Sequence, residues 1–259
     1  MSSRITGKFK EIRRKEGKAF IPYIMAGDPN IGRTRELIRI LEECGADIIE
    51  LGVPFSDPLA DGPTIQKAAK RALDEGVTLK KVIELVGNMR ITTQIPIILM
   101  TYYNPVFKYG EERFVHEASA AGVDGIIVPD LPPDEAGNLI KHAGKSGLDT
   151  IFLLAPTSTE DRIQKVAKAS TGFIYYVPIT GITGSKLSPD ASIESHIARI
   201  RSVTDKPLAV GFGISTPEEA AGISLFADGV IVGSAIVKRV AAPDVELRNY
   251  LLSLRMAIK

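Results

Sequence analysis

Phe20-Ile-Pro-Tyr-Ile-Met25, Arg33-Thr-Arg-Glu-Leu-Ile-Arg-Ile-Leu-Glu-Glu43 and Ile48-Ile-Glu-Leu51 follow one another near the start of the chain. The first and last are short apolar runs. The middle one places apolar residues at helical spacing among charged ones. Strand, helix, strand in that order implies parallel pairing, because the intervening helix carries the chain back to the same end of the sheet. The rhythm then repeats. Further apolar runs at 95–100, 125–129, 150–154, 173–177, 207–210 and 229–232, with 20–25 and 48–51, make eight. They are apolar at nearly every position, as strands covered on both faces must be. Eight such units in 259 residues predict an α/β fold, a single (β/α)8 TIM barrel spanning 1–259. A doubly wound open sheet is the other arrangement this rhythm permits.

The spacing between runs adds detail. Most units are close to the minimum for a strand, a helix and two turns. The interval after the second run has room for an extra helix, and Asp61-Gly-Pro-Thr-Ile-Gln-Lys-Ala-Ala-Lys-Arg-Ala-Leu73 fits one. The interval after the sixth holds a long Gly/Ser/Thr segment, Thr180-Gly-Ile-Thr-Gly-Ser-Lys-Leu-Ser-Pro-Asp190. After the eighth run, residues 235–240 form a further short helix. Insertions after strands two, six and eight mark a functional face, since barrel chemistry sits on the loops that follow strands. Residues 3–14 form an N-terminal helix placed to plug the barrel's bottom. No linker or low-complexity stretch interrupts the pattern.

Composition removes several function classes. With 32 basic and 31 acidic residues, the chain has no basic field to recommend nucleic acid. Its one cysteine, Cys44, allows no internal disulfide and disfavours a zinc site; in a helical segment it reads as a structural thiol. No apolar leader opens the chain and no apolar run is long enough to span a membrane. A soluble cytoplasmic protein is the expectation. His116, His142 and His196 all fall on predicted helices, away from the functional face, so neither a histidine-based nucleophile nor a metal site is expected.

Two carboxylates stand out. Glu50 is an acid in the middle of an apolar strand, where a charge is costly to bury. No other strand run carries a Lys or Arg to pair with it. Burial raises the pKa of such a group, which suits acid/base work near neutrality. Asp61 follows in a loop rich in proline and glycine. It precedes Gly62-Pro63, so it is equally a candidate helix N-cap. Asp57 and Asp130 share that face, in turn contexts that account for them structurally.

Three glycine-rich turns follow the last three runs: Gly181-Ile-Thr-Gly184, Gly211-Phe-Gly-Ile-Ser215 and Gly233-Ser-Ala235. Glycine lets backbone N–H groups turn toward an anion without obstruction. A helix opening at Gly233-Ser234 adds a favourable end for negative charge. One such turn would mean only a tight connection; three on neighbouring strands point to a phosphate cradle built mostly from backbone. Tyr23, Met100, Leu153, Tyr175 and Phe212 fall near strand C-terminal ends. Each alone reads as core, but with the cradle they suggest a substrate with a flat apolar part and a phosphorylated tail.

The segment Glu50-Leu-Gly-Val-Pro-Phe-Ser-Asp-Pro-Leu-Ala-Asp-Gly-Pro-Thr-Ile-Gln66 resembles the signature of the tryptophan synthase alpha subunit family. Pro22-Tyr-Ile-Met-Ala-Gly-Asp-Pro29, Tyr103-Asn-Pro105 and the three glycine turns resemble further blocks of that family, in order and over essentially the whole chain. The resemblance implies retro-aldol cleavage of indole-3-glycerol phosphate to indole and glyceraldehyde 3-phosphate. It makes Glu50 the proton shuttle, Asp61 the partner of the indole N–H, and Tyr175 a supporting residue. Gly184, Gly213, Gly233 and Ser234 match the phosphate positions, and Thr183 sits on a loop that could reach Asp61 on closure. It further implies a pyridoxal-phosphate-dependent beta subunit as partner in an αββα assembly, contacted through Pro54, Asp57, Asn104 and Pro105. This chain would carry no cofactor or metal and would be a monomer when alone. One departure is Val177-Pro178-Ile179-Thr180, where many members carry Ser-Arg. Proline fixes φ and removes a donor, so the change bears on loop closure and not on the carboxylates. Two other classes stay open at this point: another phosphate-binding barrel lyase or isomerase, and a non-catalytic regulatory subunit of a beta partner.

Overall fold

The computed structural model describes residues 3–178, 191–211 and 213–259. Its strands are β1 (Ala19–Met25), β2 (Ile49–Gly52), β3 (Ile97–Met100), β4 (Gly125–Ile127), β5 (Asp149–Ile151), β6 (Leu153–Leu154), β7 (Ile174–Tyr176), β8 (Leu208–Val210) and β9 (Gly229–Val232). They form one sheet in the order β5-β4-β3-β2-β1-β9-β8-β7-β6, with every pair parallel. The first and last strands pair, Ala19 opposite Gly229 and Pro22 opposite Val232, which an open doubly wound sheet does not do. The two ends of the order, β5 and β6, are consecutive in the chain and separated only by Phe152. The sheet therefore curls until one interrupted strand supplies both its ends, giving eight staves of a barrel. At the interruption the Phe152 N–H donates to the Ser170 hydroxyl at 3.3 Å instead of continuing the ladder.

The period-two alternation of strands divides the core in two. Ile21, Ile48, Ile98, Ile127, Ile151, Phe173 and Ile231 fill the barrel interior. Their chain neighbours Phe20, Ile49, Ile97, Ile126, Ile174 and Val230 pack outward in the shell beneath the helices. Helix α1 (Arg4–Arg14) contributes Ile5, Phe9 and Ile12 to the interior cluster, with Phe9 5.6 Å from the Phe173 ring. It thus closes the bottom of the barrel. Ser3 caps it by accepting from the Thr6 N–H and bonds Asp149 at 2.5 Å. Nearby, buried Asp124 accepts from Arg4 at 2.8 Å, from Arg90 at 2.7 Å and from the Ile97 N–H at 2.8 Å, tying α1 to the base of β3.

Helices α2 (Ile31–Glu43), α6 (Glu111–Ala120), α7 (Gly137–Ser146), α8 (Glu160–Ala169), α9 (Ala191–Arg201), α10 (Pro217–Ser224) and α12 (Asp244–Ala257) flank the sheet. Two helices, α3 (Pro63–Asp74) and α4 (Leu79–Met89), lie between β2 and β3. The short α5 (Tyr103–Tyr109) precedes α6, and the four-residue α11 (Ser234–Val237) precedes α12. The long segment after β7 lies outside the described residues. Cys44 is buried at the C-cap of α2.

Candidate active site

Glu50 lies on β2 between Ile48 and Gly52 on the inward face, and is 1% exposed. Tyr23 of β1 and Ile98 of β3 sit opposite it. Among the described residues its Oε2 has no hydrogen-bond partner. Burial, reinforced by the negative Asp61, pushes its carboxyl up to about 8. A buried acid without a cation keeps its proton, and here that holds at neutral pH.

Asp61 sits on the loop between β2 and α3. Burial raises it to about 6, opposed by a hydrogen bond from the Tyr102 hydroxyl. The capping alternative is not realised: the N-cap of α3 is Gly62, with no side-chain cap bond. Proline at the first helical position needs no donor satisfied there, so the Asp61 carboxylate is released from that duty. The loop is pinned by its backbone instead. The Ala60 N–H donates to the Tyr102 hydroxyl at 2.9 Å, and Gln66 donates to the Asp61 carbonyl at 2.8 Å. Tyr102 is itself buried and packs on Phe55, ring centroids 5.3 Å apart. Between about pH 6 and 8 one acid is protonated and the other ionised, a separation of roles set by surroundings alone.

Both acids line a cavity of about 420 Å³ at the C-terminal end of the barrel, together with Tyr23, Met100, Leu153, Tyr175, Gly213, Gly233 and Ser234. All nine of these sequence-derived candidates thus share one site. Tyr23 and Tyr175 are accommodated by inward glycines. A Cβ on Gly52 would fall on the Tyr23 hydroxyl, and one on Gly211 would lie 2.7 Å from the Tyr175 hydroxyl and 2.6 Å from Ile231 Cβ. Burial, with the two carboxylates adding to it, raises both phenols well above their ordinary value, so both stay protonated donors. Gly213 adopts φ +71°, a turn an L-residue enters only with strain, and the chain from Gly233 to Ser234 opens α11. Gly184, Thr183 and Phe212 lie outside the described residues.

Pro54, Asp57, Asn104 and Pro105 do not line the cavity. Pro54 and Asp57 belong to the loop after β2, and Asn104 and Pro105 to the first turn of α5. Asp57 and Asn104 are exposed and Pro105 partly so, whereas Pro54 is buried; exposed Leu59 and Phe107 lie in the same two segments. The Asp130 carboxylate accepts from the Tyr103 N–H at 2.9 Å, the structural use its turn context suggested. His116, His142 and His196 lie on α6, α7 and α9. Among the described residues no group of three His, Cys, Asp or Glu could hold a metal.

Sequence reading missed Tyr102 and Arg162. Tyr102 stands two residues past Met100, on the same alternating face, and that periodicity could have found it. Arg162 reaches the cavity from the side of α8, and no local pattern announces it. A larger hollow of about 670 Å³ lies at the opposite end, between α1 and the turns before β7, β8 and β9. Two of its polar groups are spent on local structure: Lys206 donates to the carbonyls of Ala167 and Ser170 at the end of α8, and Asp228 accepts from Arg201 of α9 and from the Leu208 N–H of β8. The smaller cavity, with two acids at the C-terminal strand ends that no cation among the described residues pairs, is the chemical site.

Residues 9–257 match the family model described as tryptophan synthase alpha chain. The chain is 52% identical over 261 residues to a tryptophan synthase alpha chain from Geobacter sulfurreducens, covering 99% of each. It is 49% identical over 261 residues to the same-named chain of Microcystis aeruginosa, covering 98% of this chain and 99% of that one. Among solved structures, tryptophan synthase from Mycobacterium tuberculosis superposes with a TM-score of 0.93 at 37% identity, covering 100% of this chain and 99% of that one. The alpha subunit from Legionella pneumophila does so with a TM-score of 0.92 at 37% identity, with the same coverage.

Proposed function

The chain belongs to the tryptophan synthase alpha chain family, and from this we infer which of its residues carry the family's reaction. That reaction is cleavage of indole-3-glycerol phosphate to indole and glyceraldehyde 3-phosphate, in tryptophan biosynthesis. The alpha chain uses no cofactor of its own. Pyridoxal phosphate belongs to the beta subunit, with which the family forms an α2β2 complex. We place this biosynthetic step in the cytoplasm. Among the described residues no helix is long and apolar enough to cross a membrane.

The observation that carries the assignment is a buried Glu50, without a cation partner among the described residues, sharing a cavity with Asp61. Burial pushes the first up to about 8 and the second only to about 6, so near neutrality Glu50 holds its proton and Asp61 is ionised. Cleavage needs a proton delivered to indole C3, which becomes tetrahedral while positive charge develops on the ring nitrogen. Glu50 supplies that proton. The glycerol hydroxyl next to the ring then gives its proton to the Glu50 carboxylate as its carbon becomes the aldehyde. The carbon–carbon bond breaks, its electron pair returns to the ring, and Glu50 ends protonated as it began. Asp61 accepts a hydrogen bond from the ring N–H and stabilises the positive charge, an interaction strongest in the transition state. Tyr23, Met100, Leu153 and Tyr175 hold the flat ring. Gly184, Gly213, Gly233 and Ser234 bind the phosphate end, and Thr183 and Phe212 are assigned, with the residues that hold the ring, to the indole pocket. Asp57, Asn104 and Pro105, with exposed Leu59 and Phe107, form the surface for the beta subunit, and Pro54, which is buried, supports the loop that carries Asp57.

Indole release from indole-3-glycerol phosphate, assayed with and without a beta subunit, tests this reading. Slow release accelerated by the partner is expected; no release in either mixture refutes it. Because Asp61 must be ionised and Glu50 protonated, kcat/KM should trace a bell with limbs near pH 6 and 8. A profile flat across that interval would separate these acids from the chemistry. Tyr102 lowers Asp61 by hydrogen bonding to its ionised form, so Tyr102→Phe should move the acid limb toward neutrality. An unmoved limb would mean that Tyr102 serves the loop backbone alone.

A further inference from the structure

We propose that Arg162 binds the phosphate end of the substrate; this rests on the function assigned above. Of the described residues lining the cavity, Arg162 is the one cation, against two carboxylates. It projects from the first turn of α8, whose cap, Thr159, accepts from the Arg162 N–H. Ser158 and Val177 also line the cavity. Its guanidinium makes no hydrogen bond or ion pair among the described residues, although the residue is only half-exposed. The other partly buried arginines among the described residues are all committed: Arg33 to Glu36 and Asp244, Arg90 to Asp124, Arg199 to Glu160, Arg201 to Asp228, Arg248 to Glu43, Arg255 to Asp47, and Arg239 to the Ala235 carbonyl. An uncommitted guanidinium on a cavity wall has its donor fork available to a ligand.

Charge balance says which part of the substrate needs it. A phosphate monoester brings nearly two negative charges into a cavity that already holds ionised Asp61. The glycine turns after β8 and β9 offer backbone donors but no cation. Helix α11 has only four residues, too few to build a substantial dipole. Arg162 stands on the element between β6 and β7, and only β7 separates β6 from β8 in the sheet. A guanidinium suits this task because its fork matches phosphate oxygens in pairs.

The test measures binding directly on the full chain, by calorimetry with glycerol 3-phosphate and, separately, with indole. Arg162→Leu should weaken glycerol 3-phosphate binding about tenfold or more and leave indole binding in place. Arg162→Lys should restore part of the loss. The wild-type affinity for glycerol 3-phosphate should fall more steeply with added salt than that of Arg162→Leu, and KM for indole-3-glycerol phosphate should rise in the variant in parallel. Unchanged glycerol 3-phosphate affinity in Arg162→Leu would overturn the proposal, as would an equal loss of indole affinity, which would signal a distorted pocket. Arg162-dependent binding of glycerol 3-phosphate by a wild type that releases no indole would sustain this inference and refute the lyase assignment.

Discussion

Replacing Glu50 by glutamine should lower kcat for indole release by about a thousandfold or more, the scale of a lost acid/base group acting on two proton transfers. Glutamine keeps the shape and neutral charge of the protonated acid but exchanges no proton, so KM should change little. The same variant should be more stable than the wild type in alkali. A carboxyl held at about 8 in the fold, against 4.5 as its ordinary value, binds its proton more tightly when folded. Its contribution is therefore fully present below pH 4.5 and is lost as the pH rises toward 8. The wild type thus loses up to about 5 kcal/mol across that window, and Glu50→Gln does not. Melting temperatures that coincide at pH 4.5 and diverge by pH 9, with turnover down by about a thousandfold or more throughout, are the expected result. A variant within tenfold of wild-type turnover would remove Glu50 from the chemistry. Parallel melting curves at both pH values would remove the raised pKa.

The second large effect falls on stability at the other end of the barrel. Asp124→Ala should destabilise the chain by about 3–5 kcal/mol, because breaking one side of a buried ion pair leaves the other charge uncompensated. Arg90, 11% exposed and 2.7 Å from Asp124, would be that stranded charge. Arg4 and the Ile97 N–H lose their acceptor with it. A fall in melting temperature of roughly 10 °C is expected for a chain of this size, with turnover at low temperature intact because the site is at the opposite end. The double variant Asp124→Leu/Arg90→Met should recover much of the loss. A drop of under 1 kcal/mol in Asp124→Ala would show that the cluster only decorates the barrel's base.

Which parts of this were legible beforehand follows from where the physics is local. Barrel strands are apolar on both faces, so each announced itself as a run, and Glu50 stood out as the charge inside one. The break at Phe152 did not, because residues 150–154 are continuously apolar and the interruption is made by a distant hydroxyl, Ser170. The extra turn of helix at α5 was also invisible: its sequence, Tyr-Asn-Pro-Val-Phe-Lys-Tyr, reads equally as loop. Asp61 was ambiguous because Asp-Gly-Pro is good capping chemistry, and only the backbone decided that Gly62 takes the cap. Tyr102 and Arg162 enter the site through tertiary packing. For Arg162 no spacing rule connects a helix residue to the strand ends two elements away.

The pairing of β1 with β9 sets a condition on how the chain is made. Residues 19–22 have their partners at 229–232, so the sheet cannot close until nearly the whole chain has left the ribosome. Until then β1 offers an unpaired edge, and each newly added strand offers another. The base is subject to the same delay: α1, made first, buries Phe9 against Phe173, and its Arg4 reaches Asp124 only after the fourth stave exists. Contacts between such distant residues form slowly. The emerging chain therefore spends most of its synthesis as an open, two-edged sheet with an apolar helix at its head, the species a holding chaperone is built to cover.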